Sequence, residues 1–432
     1  MRALGIVLVL AATLVMVSGD LPRPNAGAMQ RVTLVRVVTS PLFYLALFAL
    51  GFGMLAAFDG RRLRDTAALA LGWSPLAVLG AGLLIPVLFS QLPALSWLAL
   101  GCLAGVGAFA VLVVHALRDE AACARMSIVI AAAALVLAVR TLAFRVDEGL
   151  GVGAYHITNN AWLGKLQIAW VLNFVAPFVL ARFIESRRTL GSTFYGGTWL
   201  AIAACIHFLY SRTGSLVLAL TTLAMCALNL RSWRRWATLL VIAAGLVLAV
   251  TARTGGMSIY VTAARAGARD SGIVMRHSVW QETLAMISDH PVAGIGLGTY
   301  DDIAYSRYRS AGGPEFFRNG WHAHNLFLHV LAETGVIGFA AWACFWLAIV
   351  RFLLRRWRDG DEGDRLNSGA ALCFVAAFFV LSLTEVLIAA RVHASLRMNL
   401  TLALFVVYGC RLASGSGISS SRRISPMQHS HE

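Results

Sequence analysis

The sequence predicts an all-α polytopic membrane protein with about 12 transmembrane helices and one large periplasmic loop that contains short helices. Of the 432 residues, 59% are apolar, against roughly 45–50% in a soluble globular domain, and the mean hydropathy is +0.73. Apolar runs recur along the chain at the length that crosses a bilayer, about 20 residues at about 1.5 Å each. Only one long polar segment interrupts them.

Twelve apolar runs are the predicted spans, and they must be helical because lipid leaves no partner for an unpaired backbone group. The first run, Leu4 to Val17, follows Arg2 as in a secretory signal, but no small-x-small cleavage site precedes the following prolines. We therefore interpret it as a span. The others are Pro41 to Phe58, Ala67 to Phe89, Pro93 to Leu117, Met126 to Phe144, Leu166 to Phe183, Phe194 to Tyr210, Thr213 to Leu230, Trp236 to Ala252, Asn325 to Val350, Gly369 to Ala390 and Met398 to Leu412.

Arginines mark one side of these spans. With the amino terminus in the cytoplasm, the basic clusters at 61–64, 182–188, 231–235 and 351–358 all fall on the cytoplasmic side, whereas the short SQLPA loop opposite them is uncharged. This positive-inside pattern predicts that both termini are cytoplasmic and that the long loop is periplasmic or extracellular. The predicted organisation is helices 1–9 in 1–252, the periplasmic loop in 253–323, helices 10–12 in 324–412 and a disordered cytoplasmic tail in 413–432.

Charge and cysteine content narrow the functional classes. The net charge of +15 comes from arginine, since Lys165 is the only lysine. The seven cysteines lie almost all inside apolar spans, with no disulfide framework and no zinc-binding spacing. We expect no metal, no cofactor and no nucleic acid partner. No repeat of 20–50 residues and no matched pair of broken spans is visible, which counts against a transporter built on inverted repeats.

The long loop is richer in arginine than membrane insertion favours. Long loops can translocate despite charge, so a solvated surface explains part of this content. The excess indicates an anionic partner on the outer side, above all phosphate, which a guanidinium grips with two parallel hydrogen bonds. The loop arginines are Arg253, Arg265, Arg269, Arg276, Arg307, Arg309 and Arg318.

Within this loop, the run HSVWQETLAMISDH has the apolar spacing of an amphipathic helix that ends before Pro291. Arg276 is expected at or just before the first turn, where backbone N–H groups also favour anions. The glycines of GIGLGTY, Gly294, Gly296 and Gly298, lack the strand–helix context of a nucleotide site, so we interpret them as a backbone turn.

Aromatic side chains crowd the second half of the loop. Such residues can stack on sugar rings or pack the loop onto the bilayer surface, and the sequence leaves both roles open. They are Tyr300, Tyr305, Tyr308, Phe316, Phe317 and Trp321.

Arg212 lies in the short YSRTG connection between two apolar spans. A charge this close to the hydrocarbon is costly, so Arg212 is a candidate functional residue. Snorkelling of its side chain to the outer headgroups is the alternative.

His324 is expected at the outer mouth of the span that begins at Asn325, where an imidazole can accept the proton of an attacking hydroxyl. His322 precedes it by two residues and would point elsewhere in a helix. Glu385 is expected one or two turns below the outer end of the next span, and its carboxylate requires a partner, which His324, Arg391 or Arg212 could supply. It would then either orient the base or form a structural ion pair.

These residues resemble those of the O-antigen ligase and polymerase superfamily of bacterial membrane glycosyltransferases. Three motifs carry the resemblance: the SRTG sequence with Arg212; the segment RHSVWQETLAMISDHPVAGIGLGTY with Arg276 and Trp280; and the pair His324–Asn325 followed nine residues later by GVIG. They lie between about Tyr210 and Gly338, and the span count extends the resemblance over the whole chain.

The resemblance implies a metal-independent enzyme in the inner membrane whose donor is a glycan on undecaprenyl diphosphate. Arg212 and Arg276 would bind the diphosphate, and His324, with Glu385, would serve catalysis. The residues His322, Asn325, Arg391 and Trp280 would support the site or the acceptor.

The function expected from the resemblance is that of an O-antigen ligase, which transfers the glycan to lipid A core oligosaccharide among membrane lipids. A polymerase of the same superfamily is the first alternative, and a protein O-oligosaccharyltransferase the second. A glycan flippase would instead need charges spread along a path at mid-membrane depth.

Overall fold

The computed structural model describes residues 73–117, 119–147, 165–209, 211–228, 271–308, 322–386 and 396–414, and all regular secondary structure in these ranges is helical. The helices are α1 (Trp73–Leu88), α2 (Pro93–Ala116), α3 (Glu120–Asp147), α4 (Lys165–Glu185), α5 (Thr189–Phe208), α6 (Arg212–Leu228), α7 (Ser271–Asp289), α8 (Tyr300–Ile303) with a π-helical turn at Ala304–Tyr308, α9 (Leu326–Asp359), α10 (Glu362–Ser382) and α11 (Leu396–Ala413).

Within the described part of the chain, five helices are long and apolar enough to cross a membrane: Pro93–Ala116, Glu120–Ala143, Leu166–Glu185, Leu326–Asp359 and Glu362–Ser382. The described part of the chain is thus all-helical, and its helices have the length and composition of a multi-pass membrane protein. The predicted spans Leu4 to Val17, Pro41 to Phe58 and Trp236 to Ala252 lie outside the described residues, as does nearly all of the predicted tail.

Helix boundaries follow local capping chemistry. Pro93 occupies the first turn of α2, where its missing N–H costs nothing. Asn325 precedes α9 and accepts hydrogen bonds from the backbone N–H groups of Phe327 (3.0 Å) and Leu328 (3.2 Å). Asp361 caps α10 in the same way through the N–H of Asp364 (2.9 Å). Because of this cap, α10 begins seven residues before the predicted span at Gly369.

The helices form a bundle whose centre is α4, with residues 168–182 almost entirely buried. Phenylalanines of α4, α10 and α11 interlock there. Phe174 meets the edge of Phe374 with ring centroids 5.3 Å apart, and Phe178 stacks on Phe405 at 6.0 Å. Such aromatic pairs add to the packing energy of a membrane bundle, in which water does not drive helix association.

Polar contacts define the two ends of this bundle. At one end, Nε of Arg145 in α3 donates to the carbonyl of Phe208 in α5 (3.1 Å), and a Cβ on Gly214 near the start of α6 would lie 3.4 Å from Ala169 in α4. At the opposite end, Arg182 of α4 contacts Asn367 of α10. Helix α10 starts at this opposite end, so its last residues lie at the first end of the bundle, together with Arg212. We call that first end the site end.

Helix α9 bends sharply at Gly335, whose φ of 60° and ψ of −172° are non-helical. The rings of Phe327 and Trp342 lie 5.8 Å apart, although 15 residues of straight helix would separate them by about 22 Å. The segment 326–334 therefore folds back toward 336–359. The predicted continuous span from Asn325 to Val350 is wrong in this respect, because the glycine admits a left-handed backbone conformation inside an apolar run.

The glycine-rich turn after α7 supplies the backbone partners that this bend removes from α9. The N–H groups of Ile295 and Gly296 donate to the carbonyls of Ala332 and Glu333, both at 3.0 Å, and the N–H of Val336 donates to the carbonyl of Pro291 at 2.8 Å. We call these three hydrogen bonds the backbone seam. It connects the turn at 291–296 to α9 and gives the backbone groups at the bend the hydrogen-bond partners that buried backbone requires.

Gly294 of GIGLGTY and Gly335 of GVIG lie too close to neighbouring backbone to carry a side chain. A Cβ on Gly294, whose φ is +74°, would lie 2.4 Å from the carbonyl of Glu333, and one on Gly335 would lie 2.2 Å from the carbonyl oxygen of Val292. The interpretation of GIGLGTY as a backbone turn is confirmed.

Candidate active site

Helix α7 carries the first two candidate side chains. The predicted amphipathic helix is confirmed, and it ends at Asp289, before Pro291. It begins at Ser271, however, so Arg276 lies in the second turn and not at the helix start as expected. The backbone N–H of Arg276 is then inside the helix, and only its guanidinium can serve an anion. One turn later, Nε1 of Trp280 donates to the carbonyl of Ala323 (2.9 Å) and so holds the chain just before His324.

His324 has a φ of +48°, the one positive value among the non-glycine residues that the structure describes. Its backbone N–H donates to Nδ1 of His322 (3.3 Å), and the two rings lie 4.4 Å apart. Histidine enters this left-handed region more readily than most residues, but the conformation is uncommon and typical of a constrained site. The turn is fixed by Trp280 before it and by the Asn325 cap after it, and it directs the imidazole toward Glu385.

Glu385 brings the candidates together. Its Oε2 lies 3.0 Å from Nδ1 of His324 and 3.9 Å from Nε2 of His322, and its Oε1 lies 3.3 Å from a terminal nitrogen of Arg276. The carboxylate is 7% exposed and the His324 side chain 10%. One carboxylate thus bridges an arginine of α7 and a histidine at the start of α9.

Glu385 lies just beyond α10, which ends at Ser382, and not one or two turns inside the span as predicted. The N–H groups of Leu383 and Thr384 close a tight turn on Val380 and Leu381, and the Thr384 hydroxyl also reaches the Leu381 carbonyl (3.2 Å). Such local bonds compete with helix continuation.

The charge state of this cluster follows from its partners. Burial alone would raise the pKa of Glu385, but the hydrogen bond and charge of His324, with the charges of His322 and Arg276, outweigh burial and lower it. Burial, followed by the charge of His324, lowers the pKa of His322 to about 4. An ionised carboxylate only accepts hydrogen bonds, so His324 donates from Nδ1, and in its neutral form Nε2 is the basic nitrogen.

Arg212 is the first residue of α6, and its side chain is exposed at the site end. The preceding Ser211 caps this helix by accepting the N–H of Gly214 (3.2 Å). Three residues separate α5 from α6, so the prediction of a turn without room for a loop is confirmed.

Of the partners that the sequence proposed for Glu385, the structure shows His324 in contact with it and Arg212 not in contact, and it adds Arg276. Arg391 lies outside the described residues.

Three of the clustered side chains have the chemistry of metal ligands. One ligand atom each from His322, His324 and Glu385 lies within 4.8 Å of the others, and two imidazoles with a carboxylate would suit a divalent cation such as zinc. The guanidinium of Arg276 already neutralises the same carboxylate, which disfavours a second cation there. Metal independence stays a prediction.

A second polar network lies among the described residues, and the sequence did not predict it. Oε1 of Glu333 accepts the N–H of Tyr300 (3.2 Å) and lies 3.5 Å from Nε2 of His329, while the Tyr300 hydroxyl meets Thr283 at 2.5 Å. These side chains join α7, α8 and α9. The spacing of four residues between His329 and Glu333, which places both on one helix face, was the available signal.

The comparisons with known proteins concern this same region. Residues 197–343 match the family model described as O-antigen ligase, and no curated protein matches the chain. The matched segment contains Arg212, Arg276 and His324 and ends before Glu385. The match at residues 197–343 supports membership of the O-antigen ligase/polymerase superfamily.

Proposed function

We propose that the protein is an O-antigen ligase: an inverting glycosyltransferase that moves a preassembled glycan from undecaprenyl diphosphate to lipid A core oligosaccharide in lipopolysaccharide biosynthesis. The observation that carries this proposal is the bridge from Arg276 through Glu385 to His324, which sets an anion-binding group beside an oriented base. The family match supports the general class of reaction.

In this mechanism the arginines serve the leaving group. When the bond between the anomeric carbon and the diphosphate oxygen breaks, its electron pair stays on the diphosphate as negative charge. Arg276, 28% exposed, and the exposed Arg212 would bind that charge as it develops and so lower the barrier. Bidentate arginine hydrogen bonds take the role that a divalent cation has in many other glycosyltransferases.

His324 serves the acceptor. Its Nε2 takes the proton of the acceptor hydroxyl while the hydroxyl oxygen forms the new bond to the anomeric carbon. Glu385 is the positioning residue, since it fixes the proton on Nδ1 and neutralises the imidazolium that forms. Attack from the face opposite the diphosphate inverts the anomeric configuration.

The distribution of charge supports a site on the periplasmic face of the inner membrane. Arg182, Arg187 and Arg188 lie at or next to the α4–α5 connection, and Arg355 and Arg356 near the end of α9, all at the end opposite His324. By the positive-inside rule that end is cytoplasmic. The site end is then periplasmic, at the rim of the bilayer, where both lipid-anchored substrates would be accessible.

Reconstitution tests this function. The purified protein is placed in liposomes with undecaprenyl-diphosphate-linked glycan and lipid A core, and the lipids are then separated on a gel. A ligase converts lipid A core into a slower-migrating product. Lengthening of the polyprenyl-linked glycan with lipid A core unchanged would identify a polymerase and overturn the ligase assignment.

A further inference from the structure

The three tyrosines at 300, 305 and 308 differ in environment. Tyr300 is 2% exposed and belongs to the buried network. Tyr308 is half-buried, and its hydroxyl donates to Asp289 at 2.8 Å. Tyr305 is 56% exposed. Tyr300 takes neither of the two roles that the sequence left open, stacking on sugar rings or packing onto the bilayer surface, because it is buried inside the protein, whereas both roles stay open for the exposed Tyr305.

Arg307 follows Tyr305 by two residues, and its guanidinium is held in a fixed position. One of its terminal nitrogens donates to Oε1 of Gln91 at 2.5 Å. The Gln91 amide nitrogen lies 2.7 Å from Nε2 of His290, and the Gln91 backbone N–H donates to Ile295 at 3.1 Å. The arginine is therefore held by the α1–α2 connection and by the turn after α7, and not by its own segment alone.

Together Gln91, Asp289, Tyr305, Arg307 and Tyr308 form what we call the tyrosine ledge. Tyr305, Arg307 and Tyr308 come from the π-helical turn, a conformation frequent at functional sites. The exposed tyrosine offers an aromatic face, and the arginine, the carboxylate and the amide of the same region offer hydrogen-bond donors and acceptors.

Helix α7 sets the distance of the ledge from the candidate active site. Arg276 contacts Glu385, and Asp289 contacts Tyr308. Thirteen helical residues separate the two, which is about 20 Å. This distance is longer than one sugar ring, so a ligand that reaches both places is an oligosaccharide.

We propose that the tyrosine ledge binds sugar units of the glycan substrate remote from the bond that reacts, with Tyr305 stacking on one pyranose face and Arg307 hydrogen-bonding hydroxyl or acidic groups of another sugar unit. The inference rests on the proposed transfer of glycan at His324. The glycan is either the repeat chain on the polyprenyl donor or the core oligosaccharide of the acceptor. Its binding there would make transfer depend on glycan length.

The test compares Tyr305→Ala, Tyr305→Phe and Arg307→Ala with the unaltered protein in reconstituted liposomes. One arm varies the donor glycan between one and several repeat units at fixed acceptor. The other varies the acceptor between truncated and full-length core at fixed donor. Trp97→Ala, a 50% exposed aromatic on α2, and Arg187→Ala, exposed at the opposite end, are the matched controls.

We expect Tyr305→Ala and Arg307→Ala to raise KM for the longer glycan roughly 3- to 10-fold in one arm, the scale of one stacking or hydrogen-bonding contact. KM for the short glycan and kcat with either glycan should be unchanged. Tyr305→Phe, which keeps the ring, should resemble the unaltered protein. The arm that responds identifies the glycan.

Equal kinetics with both glycan lengths in all variants would overturn the inference and leave the ligase proposal standing. Equal loss with short and long glycans would also overturn it and make Tyr305 a membrane-surface or structural residue. Absence of transfer by the unaltered protein with every glycan would overturn both proposals.

Discussion

Nδ1 of His324 lies 3.0 Å from Oε2 of Glu385, across 61 residues of sequence. Neither residue could hold this arrangement alone. The histidine needs the left-handed turn after Ala323, and the carboxylate needs the early end of α10. Because the other carboxylate oxygen faces Arg276, the same residue connects the candidate base with the candidate diphosphate ligand.

Replacing Glu385 by Gln tests this connection. The amide keeps the shape but carries no charge, so it does not neutralise the protonated form of His324. Arg276 would also compete for its single acceptor oxygen, which would turn the NH2 group toward Nδ1 and favour the wrong tautomer of His324. We expect kcat to fall roughly 10²-fold or more, with a smaller change in KM for the donor. Steady-state kinetics in liposomes measure both. Glu185→Gln, at an exposed ion pair with Arg182, is the control, and equal activity of both variants would contradict the role of Glu385.

The depressed pKa of His322 predicts how stability depends on pH. In the unfolded chain this histidine binds a proton below about 6.5, whereas in the folded protein it does so only near 4. Its contribution to stability is therefore complete above pH 6.5 and is lost as the pH falls toward 4. Thermal unfolding in detergent between pH 4.5 and 7.5 should show a weaker pH dependence for His322→Gln than for the unaltered protein. Parallel curves would refute the environment assigned to His322.

Gly335→Ala tests the bend in α9. A Cβ there would collide with the carbonyl of Val292, and a φ of 60° with a ψ of −172° costs a non-glycine residue about 1–3 kcal/mol by itself. We expect a loss of about 2 kcal/mol or more in unfolding free energy, together with loss of transfer, because the backbone seam must open. Gly101→Ala is the control, since no atom lies within 4 Å of its added methyl, and it should be neutral or stabilising by up to about 1 kcal/mol. Equal stability of the two variants would show that the bend is dispensable.

Chelation tests metal independence. Extensive dialysis against EDTA should leave the transfer rate unchanged, because Arg276 already supplies positive charge to Glu385 and the arginines serve the diphosphate. If activity disappeared on chelation and returned with one divalent metal, His322, His324 and Glu385 would be its ligands and the mechanism would need revision. In that case His322→Gln should lower metal affinity measured by calorimetry.

The sequence predicted the helical class, most of the described helix positions and the amphipathic helix that carries Arg276. These features depend on local periodicity and on the cost of an unpaired backbone in lipid. It also placed Arg212, Glu385 and His324 at one end of the bundle, since alternating spans and arginine-rich loops fix that order.

The sequence did not predict the bend at Gly335 or the early end of α10. The end of α10 follows from local bonds of Leu383 and Thr384, which apolar periodicity does not show. The bend depends on a distant segment, the turn at 291–296, and the position of Glu385 depends on its contacts with Arg276 and His324. The network of Glu333, His329 and Tyr300 was missed for the same reason, since only the fold shows that the histidine, the carboxylate and the tyrosine share one buried space.

The most direct test of the account is the transfer rate of His324→Ala in liposomes that contain lipid-linked glycan and lipid A core. His277→Ala, an exposed histidine next to Arg276 on α7, is the matched control. Loss of a general base predicts a fall in kcat of roughly 10²- to 10⁴-fold for His324→Ala, with normal membrane insertion and no change in the control. Transfer by His324→Ala at the rate of the unaltered protein would contradict the central claim that this histidine activates the acceptor hydroxyl.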